Sequence, residues 1–393
     1  MRKREASGAG ARAAPLPIAE LGAAERLACL RLIRTQNVGP VTFREIINYC
    51  GGAERALAAL PDLTRRGGRR SPVQIYPRDR AEAELEAAYR IGARPLFTIE
   101  PGYPVALVHA GVPPPLLYVK GRTELFERPA VAIVGARNAS AAGRAMARQL
   151  AAGLGAAGML IISGLARGID GAAHQAAMAS GTVAVLAGGI DHIYPPEHEA
   201  LHKQISAEGC LVSEQPPGFK ARGNDFPRRN RIISGLALGV VIVEAALRSG
   251  SLVTARRAAD QGREVFAVPG HPLDPRAEGT NMLLKQGATL ITSAQDVLDA
   301  LSPQIGSRPA RTEAGSAPPE PPSIEDEGES SSLPPEAAQL VVLQALGAAP
   351  VSIDEVARAT GLPIRALSGV LIELALAGRI ERHGAQLVSL RPA

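Results

Sequence analysis

The chain has 393 residues, 43 Lys and Arg against 38 Asp and Glu, a net charge of +5, three cysteines and no tryptophan. That length allows two or three domains with a sizeable core, and so mild a charge leaves the case for a nucleic-acid partner to the distribution of basic residues along the chain. Cys29, Cys50 and Cys210 are too few and too scattered for a disulfide framework or a Cys-rich zinc module, which suits a reducing cytosol.

The opening MRKREASGAGARAAPLPIAELG is basic but lacks a continuous apolar run of signal-peptide length, and reads as a disordered extension over 1–22. Apolar residues at helical spacing then run from Glu25 to Leu60 with a break at Asn37-Val38-Gly39-Pro40, which predicts two helices meeting at a glycine turn. A turn of this helix-hairpin-helix kind can offer backbone amides to DNA phosphates, or serve plain helix packing. An exposed TRRGGRRSP loop and a helix from Asp79 to Gly92 complete a helical domain assigned to 23–92.

Over 93–301 the texture changes. The runs VAIVG, MLIIS, VAVLAGG, LVSE, GVVIVEA, EVFAVPG and ATLIT alternate with Ala-rich segments of helical length. Continuous apolar strands between helices indicate an α/β fold, a doubly wound Rossmann-like parallel sheet covered on both faces. The strand order is not fixed by this pattern. GVVIVEAAL is too short to span a bilayer, so a soluble, cytoplasmic protein is expected.

Residues 302–334 are rich in Pro, Ser, Glu and Gly and read as a disordered linker. From 335 to 393 three helical segments precede the short ribbon RIERHGAQLVSL, the pattern of a winged helix. Its third helix carries only Arg365 before ALSGVLIELALAG, a composition suited to packing or a protein partner more than to duplex DNA.

Three strand-to-helix turns hold the candidate chemistry. VAIVGARNASAAG carries Gly135 and Arg137, ISGLARGIDGAAH carries Gly164, Arg167 and Asp170, and EAALRSGSLVTARR carries Ser249, Ser251 and Thr254. Such turns present backbone amides and helix N-termini along one sheet edge, where open α/β folds bind ligands, and together they point to a phosphate-bearing ligand. G-x-G-x-x-G and G-K-[ST] are both missing, which argues against NAD, FAD and ATP hydrolysis, so no cofactor is expected. The stretch FKARGNDFPRRNR, from Phe219 to Arg231, holds five basic residues against Asp225 and precedes the helix feeding GVVIVEA. With Arg137 and Arg167 it suggests an electropositive pocket where Phe226 and Phe219 are available to stack bases of a single strand.

HEALH, from His198 to His202, matches the zinc-peptidase pattern with Glu199 as base, but Ile205 stands at the glycine position of the extended motif and no third ligand is distinctive. A structural helix with exposed histidines is the better reading, and no metal is expected. Asp170, His174 and Glu244 are nominal acid/base candidates without a stated geometry.

VGARNASAAG, SGLARGIDGAAH, AVLAGGIDHIYPPEH, EQPPG, FPRRNRIISGLA, VVIVEAALRSGSLVTARRAADQGREVFAVPG and EGTNMLLKQGATLI together resemble the DNA-processing protein A (DprA/Smf) family, almost continuously over about 125 to 300. The resemblance implies a non-enzymatic recombination mediator that binds single-stranded DNA, usually as a homodimer, protects incoming strands and loads RecA during natural transformation. It also implies that Arg137, Arg229, Asn230 and Arg231, with Arg228 beside them, line the DNA pocket. We extend that set to Gly135, Gly164, Arg167, Phe226 and Ser251. The alternative is a nucleotide-processing enzyme of the related Lonely-Guy family, whose P-G-G-x-G-T-x-x-E signature survives here only as fragments in AVPGHP and LAGGID.

Overall fold

The computed structural model describes residues 21–306 and 334–391. The expected N-terminal extension and most of the expected linker therefore lie outside the described residues.

Four helices come first: α1 (Ala23–Arg34), α2 (Pro40–Cys50), α3 (Ala53–Arg66) and α4 (Arg78–Arg90). Pro40 opens α2 at a position whose N–H would lack an intrahelical partner anyway, and Asn37 adopts the left-handed conformation (φ 67°) that turns the chain between α1 and α2. Glu84 of α4 pairs with Arg34 of α1 at 2.6 Å and accepts the Tyr118 hydroxyl at 2.5 Å, the second contact tying this domain to the next.

The core follows as β1 (Arg94–Phe97), α5 (Val105–Val108), β2 (Leu116–Gly121), β3 (Ala130–Val134), α6 (Ala141–Ala156), β4 (Leu160–Ser163), α7 (Ile169–Ala177), β5 (Thr182–Leu186), α8 (Glu199–Glu208), β6 (Cys210–Ser213), α9 (Asp225–Leu236), β7 (Gly239–Ile242), α10 (Gly250–Asp260), β8 (Glu264–Ala267), α11 (Glu278–Lys285), β9 (Thr289–Leu290) and α12 (Ala294–Gly306). The sheet order is β1-β2-β6-β5-β4-β3-β7-β8-β9. From β6 to β9 every pairing is parallel, whereas β2 pairs antiparallel with β6, and β1 with β2.

Strand β3 shows how two layers of helix are recruited. Ala130, Ala132 and Val134 face one cluster with Ile232, Ile233 and Ala255, while Val131 and Ile133 face another with Leu150, Ala173 and Val297. The chain leaves β3 toward β4 on one side and later returns to pair β7 on the other. The topological switch point, where open sheets of this kind bind ligands, thus lies between the carboxyl ends of β3 and β7.

The C-terminal domain holds α13 (Pro335–Ala345), β10 (Val351–Ser352), α14 (Ile353–Thr360), α15 (Ile364–Leu376), β11 (Ile380–His383) and β12 (Leu387–Leu390), a winged helix. Ser352 and Glu355 form a reciprocal capping box at the start of α14. Helix α15 packs on α2 and α3, and its Ile372 and Leu376 belong to the core of the N-terminal helices. No single helix among the described residues is long and apolar enough to cross a membrane.

Candidate nucleic-acid interface

The stretch FPRRNR lies inside α9, not ahead of it, because Pro227 falls in the first turn, where its missing N–H has no helical partner to lose. Helical geometry then divides the cluster. Phe226, Arg229 and Asn230 share one face and Arg228 and Arg231 another, since residues three or four apart are the neighbours.

The faces have different roles. Arg229 is only 7% exposed. Its guanidinium donates to the carbonyls of Gly164 (2.9 Å) and Val185. Burial lowers its pKa to about 10, opposed by the charge of Asp170, so it stays a cation at neutral pH. Asn230 is buried and donates to the Gly250 carbonyl at 3.3 Å. Arg231 forms a 2.6 Å ion pair with Glu214 and a 3.3 Å bond to the Val112 carbonyl. Of the expected trio, then, all three have their polar atoms engaged within the chain. Arg228 is exposed and makes no ion pair among the described residues.

Gly164 is wedged between Arg229 and Asp170: a Cβ there would meet Arg229 Nη2 at 2.7 Å and Asp170 Oδ2 at 2.9 Å. Gly135 has a similar packing reason, since a Cβ would lie 2.6 Å from Ile169 Cγ1. Gly135 lets the first two turns close on each other, and Gly164 lets Arg229 of α9 reach the second.

What remains outward is a small aromatic and cationic surface. Arg137 is exposed, makes no ion pair among the described residues, and lies over the Phe226 ring at 5.0 Å. Phe226 packs in turn on Tyr194 with ring centroids 5.3 Å apart and planes tilted by 54°. Arg167 is also exposed but pairs with Glu197 at 2.5 Å. Ser251 is buried at the start of α10, its amide and hydroxyl both against Ser249 Oγ. Beneath the rings a slot of about 20 Å³ is lined by Gly164, Gly188, His192, Tyr194, Phe226 and Arg229. That is room for about one water, so the slot itself is too small for a ring-sized ligand.

Sequence reasoning missed Tyr194; the aromatic directly before two prolines in HIYPPEH was the available signal. Phe219, offered as a stacking residue, contributes its carbonyl to the Gly189 amide at 2.8 Å, while Tyr194 is the ring that partners Phe226.

The other candidates disperse. His202 is buried, correcting the expectation of exposed histidines, and its Nε2 lies 3.1 Å from the Ile190 carbonyl, while His198 Nδ1 lies 3.1 Å from that of Leu165. Asp170 holds the Gly164 and Ala166 amides, His174 faces the Thr182 hydroxyl at 2.7 Å, and Glu244 holds Ser140, so the nominal acid/base set does not converge. In the hairpin, Asn37 donates to the Leu376 carbonyl at 3.1 Å and accepts from Arg391 at 3.3 Å.

The family model described as DNA recombination-mediator protein A matches residues 94–302. The chain belongs to that family. Models of the DprA-like N-terminal HHH domain and the DprA winged helix domain match residues 23–87 and 317–386. The Smf protein of Escherichia coli K12 is 40% identical over 299 residues, covering 74% of this chain and 76% of that one. DprA of Streptococcus pneumoniae R6 is 38% identical over 257 residues, covering 65% and 90%. The X-ray structure of DprA from S. pneumoniae superposes with a TM-score of 0.62 at 33% identity, covering 72% of this chain and 98% of that one. DprA membership places the chain among DNA-processing proteins of recombination and transformation.

Proposed function

We propose that this chain is a non-enzymatic, cytosolic mediator that binds single-stranded DNA at the carboxyl edge of its core and delivers the strand to RecA. The observation that carries the reading is Arg137, uncompensated by any carboxylate among the described residues and spread over Phe226 beside Tyr194. A single strand offers what this surface takes: phosphates for the guanidinium and bases for the rings. Arg228 and, once Glu197 yields, Arg167 extend the basic track, and Ser251 lies buried at the end of α10 to which Asn230 is bonded. Arg229, Asn230, Arg231, Gly135 and Gly164 support this surface from behind. Exposed Leu273 and Leu290, with the open edge strand β9, support assembly as a homodimer that lengthens the footprint.

The test has two arms. Labelled oligo-dT is titrated with the full chain against duplex competitor, and ATP hydrolysis by RecA is followed on circular single strands coated with single-strand-binding protein. The reading expects tight oligo-dT binding that duplex displaces poorly, and a shortened RecA lag. Duplex displacing oligo-dT at equal nucleotide concentration contradicts the first part; an unchanged lag contradicts the second.

A further inference from the structure

In a doubly wound sheet the positions made for a terminal phosphate are the helix N-termini at the switch point, where several amides converge on the phosphate oxygens. Here the α6 turn at the switch point and the neighbouring α7 turn, after β4, are filled by the chain's own carboxylates. Glu244, at the carboxyl end of β7, accepts the Ser140 amide at 2.9 Å and the Ser140 hydroxyl at 2.5 Å. It lies over the first turn of α6 so closely that a Cβ on Gly143 would come within 2.5 Å of Glu244 Oε1. Asp170, in the next turn, accepts the amides of Gly164 at 3.1 Å and Ala166 at 3.3 Å through one oxygen. Ser140 in turn caps Gly143 at 2.8 Å. The third turn, at α10, has only the hydroxyl cap from Ser249, and among the described residues no carboxylate bonds its amides.

We propose that Glu244 and Asp170 set the ligand class of this site, so that it takes interior phosphodiesters of a strand and rejects terminal phosphomonoesters. The inference rests on the single-strand reading above and sharpens it. A phosphomonoester brings about −1.5 to −2 charges and three oxygens that need covering. At the turns after β3 and β4 it would have to displace a carboxylate already holding those amides, and in doing so leave that carboxylate without its partners. A diester brings a single charge, which a side-chain guanidinium such as that of Arg137 covers from outside without any amide cradle. The same arrangement bears on nucleotide-processing proteins of similar fold: two of the three turns where a nucleoside monophosphate could seat its phosphate are internally filled. For a mediator this means binding along a strand irrespective of how its end is finished.

The experiment compares oligo-dT carrying a 5′-hydroxyl with the same oligomer carrying a 5′-phosphate, with AMP and inorganic phosphate as competitors, on the full-length chain and on Glu244→Gln. The expected result is affinity for the two oligomers equal within about twofold, no displacement by millimolar AMP or phosphate, and a gain of about tenfold for the 5′-phosphorylated oligomer in E244Q, a 1.4 kcal/mol effect. Wild-type preference of tenfold or more for the 5′-phosphate, or displacement by AMP, overturns the inference. So does E244Q behaving as wild type. If E244Q does not fold, the wild-type comparison of the two oligomers decides alone. If neither oligomer binds, it is the single-strand reading that fails, and AMP binding then tells whether the carboxylates exclude a monoester.

Discussion

The carboxyl edge of the core and the contact between the N-terminal helices and the winged helix both contain sequence patterns associated with nucleic acid, and they use those patterns in opposite ways. At the sheet edge, a framework of buried polar groups around Arg229 leaves Arg137, Phe226 and Tyr194 facing outward. At the domain contact, the hairpin and the third helix of the winged helix cover one another. Asn37 bonds the end of α15, Glu373 lies 3.4 Å from Arg66, and Gln339 bridges Glu373 and the Arg66 carbonyl at 2.7 Å each. Gly67 is where it is because any side chain there would run into the Glu373 carbonyl. Arg382 is buried in an ion pair with Glu45. A nucleic-acid motif is therefore informative only once the partners of its polar atoms are known: the edge keeps a free cation, and the contact consumes its polar groups in packing.

The strongest challenge to this contrast is Arg229→Ala. It strips partners from two buried carbonyls and leaves Asp170 without its nearby cation, so thermal unfolding should show a loss of about 3–5 kcal/mol. Arg137→Ala should stay within about 0.5 kcal/mol of wild type, being an exposed substitution. Equal stability of the two variants would erase the distinction between supporting and contacting arginines. Next in size, Tyr194→Ala and Phe226→Ala should each weaken oligo-dT binding by about 1–3 kcal/mol while leaving the salt slope nearly unchanged, because stacking moves no counterions. A slope change equal to that of Arg137→Ala would mean that the rings only hold the guanidinium in place.

The domain contact can be broken separately. Glu373→Lys sets like charges against Arg66, and limited proteolysis should then cleave the C-terminal domain away several-fold faster, with oligo-dT affinity unchanged. A parallel loss of affinity would join the two regions that the comparison separates. The smallest effect is in pH. Burial raises the carboxyls of Glu45 and Glu373 above their ordinary value of 4.5, against the pull of Arg382 on the first and of Gln339 and Arg66 on the second. A carboxyl raised in the docked state favours docking most below its ordinary value and loses that contribution as pH rises through the raised one. Proteolytic release should accordingly be somewhat slower at about pH 5 than at about pH 7.5; the opposite trend would show that Arg66 and Arg382 dominate.

The seven parallel strands and the three helices with their wing were readable from the chain because each is a continuous apolar run or a helical repeat. RPLF and LLYVKG were not, since β1 carries Pro95 within it and the place of β2 in the sheet depends on antiparallel pairing with β6, far along the chain. For the candidate site, Arg137 and Phe226, singled out from the turn and the basic run, are brought together by the fold. The division among Arg228, Arg229 and Arg231 was missed because FPRRNR was placed before its helix, and the helical period sorts those three only once the helix is known to begin at Asp225. Glu244 could not be assigned at all: its contact with Ser140 follows from β7 pairing β3, a strand order that apolar patterning does not encode.

The most direct measurement of the central claim is the salt dependence of oligo-dT binding for wild type, Arg137→Ala and Arg228→Ala, each first shown to be folded. If exposed arginines at the sheet edge hold the strand, Arg137→Ala lowers affinity about tenfold or more and makes the log–log slope shallower by about 0.7, the share of one phosphate on a single strand, with Arg228→Ala giving a smaller change in the same direction. If both variants keep the wild-type affinity and slope, the strand binds elsewhere on the molecule and the account of this edge is wrong.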